Sequence, residues 1–117
     1  MSADASRGAI DAVDRILNRG GDADDVLRAV VSALVERGGC RWAGILFVEA
    51  DDLVPGPEAG EAGEEERVEV PIVYRGERVG VLAADGARDL ALLERVAVLV
   101  SAHVLLGWDT GGETWTP

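Results

Sequence analysis

The segment VPIVYRGERVGVLAAD, Val70 to Asp85, constrains the chain more than any other stretch. Arg75 and Gly76 separate two branched, apolar runs, and a two-residue turn containing glycine joins antiparallel strands, here over 67–74 and 78–85. Side chains alternate along a strand, so Val79, Val81 and Ala83 share one face and Gly80, Leu82 and Ala84 the other. Both faces are apolar. A strand oily on both sides is normally buried on both sides, so this hairpin belongs in a sheet that is covered above and below. Pro71 cannot donate to a ladder, which sends the first strand of the pair to a sheet edge.

The stretch RWAGILFVE, residues 41–49, is short, aromatic and branched and reads as another strand. It repeats the two-faced pattern, Trp42, Leu46 and Val48 against Ala43, Ile45 and Phe47. Two helices precede it. Ile10, Val13, Ile16 and Leu17 carry helical spacing over 6–19, with Ser6 as N-cap and Gly20 and Gly21 as stop. Asp22 can cap the second helix, whose stripe is Val26, Val30, Ala33 and Leu34 and whose end is Gly38. A last helix starts at the cap Asp89 and runs through Leu106 to a stop at Gly107. Its apolar arc covers about 160° of the wheel, more than one sheet contact requires.

Between Asp51 and Glu66 lie two prolines, three glycines and seven acids without a basic residue. That composition reads as a solvated loop, with a brief strand partner at Leu53 and Val54. A chain of 117 residues with 48% hydrophobic content makes one domain, taken as 1–107, followed by a polar tail, 108–117, bearing Trp108 and Trp115. Gly111 and Gly112 allow that tail to reverse and return Trp115 to the protein.

A net charge of −11 argues against nucleic acid and anionic membrane surfaces as partners, because phosphate binding needs clustered cations. The start, MSADASRGAID, does not read as a basic and then apolar leader, and no run is apolar enough to span a bilayer. The expected setting is cytoplasmic. One cysteine, Cys40, permits neither an internal disulfide nor a multi-thiolate metal site.

The order helix, helix, strand, loop, hairpin, helix, with PIVYRGERVGVLAAD ahead of DLALLERVAVLVS, resembles the GAF domain over about residues 8–107. The resemblance implies an α+β fold with an antiparallel sheet in the order 2-1-4-3, helices from both ends of the chain on one face, and a ligand side on the other. Within the family, WAGILFVEADDLVPGP is similar to the matching part of the free methionine-R-sulfoxide reductases. Trp42 matches their pocket tryptophan, while Leu46 stands where they have tyrosine. Arg67 stands at their glutamate, Ala83 at the first of two aspartates, and Asp85 keeps the second. Their cysteines follow the Gly-Pro turn, where this chain has none. Cys40 precedes the first strand and aligns with none of them.

The resemblance therefore implies a ligand side of Trp42, Leu46, Val81 and Asp85, with no catalytic residue, no metal and no cofactor. Asp85 can hold a cation or a ligand amine, or serve turn chemistry at a strand end. Cys40 reads as a small core residue, with a redox role as the rival, and His103 as a structural or interface histidine. The nine acids between Glu49 and Glu69 lack the spacing of a calcium loop. Something must dock on the second sheet face: the tail, a second copy, or an apolar small molecule. The wide arc of the last helix points to a homodimer through the terminal helices. The expected function is a non-enzymatic GAF-like interaction or signalling module. The alternatives are a divergent thiol-dependent reductase using Cys40 and a small-molecule sensor.

Overall fold

The computed structural model describes residues 2–63, 67–87 and 89–112, with side chains between 7 and 104. Its elements are α1 (Ser2–Arg19), α2 (Ala23–Glu36), β1 (Trp42–Glu49), β2 (Asp52–Gly60), β3 (Arg67–Tyr74), β4 (Glu77–Asp85) and α3 (Leu90–Gly112). The four strands form one antiparallel sheet in the order β2-β1-β4-β3, as expected, and the fold is α+β. Pro71 lies on the edge strand β3, where its missing donor costs no ladder bond.

The β3–β4 turn is Arg75-Gly76 with φ of 54° and 82°, the paired positive values that match the twist of a two-residue hairpin. Helix α2 sits on β1 and β2, α3 on β3 and β4, and α1 packs chiefly against α2. Ala43, Ile45, Phe47, Val70, Ile72, Leu82 and Ala84 meet these helices in one core, which includes Leu27, Leu34 and Leu93 at zero exposure. Val79, which alternation sets with Val81, also touches this core. Each fully buried Leu or Ile contributes about 1.5–3 kcal/mol.

Three boundaries differ from the sequence reading. Helix α1 begins at Ser2, so Ser6 lies inside it and is not its cap. Most of the expected acidic loop is strand: β2 pairs with β1 from Glu49↔Asp52 to Trp42↔Gly60, with a register shift between Gly44 and Leu46. Composition misleads there because an edge strand needs only one row of donors, so Pro55 and Pro57 fit where a central strand would exclude them. Helix α3 passes through Gly107 to Gly112, since one glycine costs only about 1 kcal/mol inside an established helix. Trp115 lies outside the described residues, and so does the question of where the tail docks.

The caps follow simple chemistry. Asp89 Oδ1 accepts the Leu92 N–H at 3.2 Å, as expected for an N-cap. Asp22 holds the N-cap place of α2 with its side chain outside the cap bond, and its carbonyl accepts the Val26 N–H at 2.9 Å. Among the described residues no helix is long and apolar enough to cross a membrane.

Candidate functional site

The strand register builds the second face row by row. Arg67 pairs with Asp85 across β3–β4 and Asp85 with Trp42 across β4–β1, so these three residues form one row over three strands. The next row is Glu69, Ala83, Gly44 and Glu58, and the third is Pro71, Val81, Leu46 and Pro55. All three rows point away from the helices, because the alternate residues fill the helix-side core.

The first row holds a closed polar cluster. Asp85 is fully buried. Arg67 Nε donates to its Oδ1 at 2.7 Å and Nη2 to its Oδ2 at 3.0 Å, and the Gly63 N–H donates to Oδ2 at 2.8 Å. The guanidinium lies 4.3 Å above the Trp42 ring centroid. Trp42 Nε1 in turn donates to Glu58 Oε1 at 2.7 Å. A planar cation with several donors suits this place, since it satisfies a carboxylate and stacks on an aromatic face together.

Gly44 makes the arrangement possible. A Cβ at that position would stand 2.5 Å from Trp42 Cζ2, so only glycine lets the indole fold down over the sheet. Trp42, Val81 and Ala83 are buried, whereas Leu46 is half-buried. Of the four expected site residues, Trp42 and Asp85 join the cluster, and Val81 and Leu46 pair with each other two rows below. The cavity beside them, between Trp42, Leu46, Pro55 and Glu58, has a volume of only about 40 Å³. Ligand pockets normally run from about 300 to 1,000 Å³. Sequence reasoning missed Arg67 as a partner of Asp85 and Glu58 as a partner of Trp42. Register alone could have exposed the first, because residues opposite each other on one face meet.

The remaining candidates sit elsewhere. Cys40 is 4% exposed in the helix-side core, on the other side of the sheet from Trp42. Burial pushes its thiol above the usual value of 9.0, which keeps it protonated and unreactive. His103 lies half-buried on α3, and its Nδ1 is buried without a partner among the described residues. The described residues contain no cluster of three metal-ligating side chains.

No protein-family model and no curated protein matches the sequence. Solved structures do match in shape. Free methionine-R-sulfoxide reductase from Neisseria meningitidis, in complex with its substrate, is 16% identical with a TM-score of 0.73, covering 93% of each chain. The GAF domain of a phosphoenolpyruvate-protein phosphotransferase from Coxiella burnetii is 14% identical with a TM-score of 0.71, over 92% of this chain and 99% of that one. The corresponding Acinetobacter GAF domain is 14% identical with a TM-score of 0.69, over 97% of both. The fold of this chain is GAF-like.

Proposed function

We propose that this GAF-like fold is a non-enzymatic interaction module that dimerises and keeps at most a vestigial small-molecule pocket. One observation carries the reading: Arg67, a residue of the chain itself, occupies both the Asp85 carboxylate and the Trp42 face. A ligand with an amine would have to expel that guanidinium and break the contacts it makes. The cavity left beside it is small.

Reduction of a sulfoxide, the activity named for the Neisseria neighbour, requires a thiolate that can reach the substrate. Cys40 is buried as a thiol on the opposite side of the sheet, which supports a non-catalytic role. A cytoplasmic setting belongs to this reading and suits a lone free thiol.

Apolar surface supports the interaction role. Leu53 on the edge strand β2 and Val73 on the opposite edge strand β3 are 39% and 47% exposed, and on α3 Leu90 and Val98 are 50% and 70% exposed. Both sheet edges carry proline, so strand addition is disfavoured. Association through α3 and the other terminal helix is the dimer we favour.

Incubation with free methionine sulfoxide and dithiothreitol tests the reading. The expected result is no reduction above the blank. Turnover that disappears in Cys40→Ser would establish an enzyme instead, and an amine-bearing ligand retained in native mass spectrometry would establish a sensor.

A further inference from the structure

A groove of about 330 Å³ runs between α1 and α2. Its floor is small and apolar, with Ala12 and Ala33 buried and Ala29 half-buried. Its rim carries Arg15, Arg19 and Arg37, all exposed, with Glu36 as the single acid. Among the described residues none of these three guanidinium groups has a hydrogen bond or ion pair, whereas that of Arg28 is held by Asp24 at 2.8 Å and that of Arg67 by Asp85. Three guanidinium groups without a side-chain partner among the described residues thus gather on one groove of a chain whose net charge is −11.

Arg15 and Arg19 stand one turn apart on α1, separated by about 6 Å of rise. Like charges at that spacing repel each other, an effect that Asp11 one turn before Arg15 and the negative end of α1 beside Arg19 partly offset. The pair is stabilised when carboxylates with the same one-turn spacing lie opposite.

We propose that this groove seats an acidic amphipathic helix of a partner protein. Its carboxylates, one turn apart, meet Arg15 and Arg19, with Arg37 closing the facing wall. Its apolar stripe rests on Ala12, Ala29 and Ala33, whose short side chains let helix axes approach to about 8–10 Å. A small anion gains little here, because exposed guanidinium groups are screened by water and salt. A helix adds apolar contact to several ion pairs and so uses the whole groove. Nucleic acid is opposed by the negative charge of the rest of the chain. The inference does not need the dimer reading, although both use α1, the dimer with α3 and the groove with α2.

The test uses the full chain labelled with ¹⁵N and a synthetic helical peptide with Glu at i and i+4 beside an Ala/Leu stripe; a second peptide has Lys at the Glu positions. The expected result is amide shifts confined to α1 and α2 with the Glu peptide and none with the Lys peptide. Affinity should fall at least about tenfold between about 0.02 and 0.3 M salt, and at least about tenfold in Arg15→Glu/Arg19→Glu, whose folding is checked by circular dichroism. Should that variant not fold, Arg37→Gln carries the same prediction with a smaller loss. Absence of shifts at about 1 mM Glu peptide, shifts confined to the sheet, or an equal response to the Lys peptide overturns the proposal. Loss of self-association in the charge-reversed chain without any peptide response also overturns it, and assigns the groove to a second copy.

Discussion

Arg67 and Asp85 face each other across β3 and β4, joined by two hydrogen bonds of 2.7 and 3.0 Å, with the carboxylate fully buried and the arginine side chain 28% exposed. Removing one partner of such a pair leaves a buried charge without compensation. Partial exposure of the arginine moderates the cost. Arg67→Leu is expected to lower unfolding free energy by about 1–3 kcal/mol in urea denaturation. Arg67→Leu combined with Asp85→Leu should recover part of that loss, and a double variant as unstable as the sum of the singles would refute the coupling.

Gly44 lies under the Trp42 indole. Gly44→Val is expected to force the ring off the sheet and to cost about 1–3 kcal/mol as an overpacked site. The readout is the Trp42 Nε1–H resonance, which should move as its bond to Glu58 is lost. An unchanged resonance in a folded variant would contradict the stacking.

Ala50 in the β1–β2 turn has φ of 57°, in the left-handed region that glycine adopts without strain. Ala50→Gly is expected to raise stability by about 0.5–1 kcal/mol, read as a higher urea midpoint at constant slope. A lower midpoint would mean that the turn relaxes in solution.

Cys40 has a folded pKa raised above 9.0 by burial. The unfolded thiol ionises first, so the stabilising contribution of the buried thiol is fully present below the unfolded pKa and is lost as pH rises through the folded one. The expected outcome is falling stability above pH 9 that flattens in Cys40→Ala, measured by denaturation at several alkaline pH values. Iodoacetamide should label the native thiol far more slowly than the urea-unfolded one, and equal rates would show that the site is open.

Val98 is 70% exposed on α3. If α3 forms the dimer contact, Val98→Asp should weaken self-association at least about tenfold in light scattering, with little change in monomer stability. A wild-type chain that is monomeric at tens of micromolar would remove the dimer itself.

Periodicity was enough for the hairpin, the helix stripes and the edge placement of Pro71, because each depends on neighbours a few residues apart. The order of the strands came from the resemblance to GAF domains, since β1 meets β4 across a long stretch of chain and no local pattern records that pairing. Strand β2 was hidden, since its prolines and acids signal a loop unless one knows that it lies at an edge. The extension of α3 beyond Gly107 was equally hidden, because a glycine ends a helix only when nothing else holds it. Trp42 and Asp85 could be named from the sequence, yet their partners could not. Arg67 meets Asp85, and Glu58 meets Trp42, through strand register over separations of 18 and 16 residues. The sequence by itself determined which residues are oily and where the chain turns. The tertiary structure decided that an internal arginine fills the cation place beside Asp85, because only the folded register brings groups so distant along the chain within hydrogen-bonding reach.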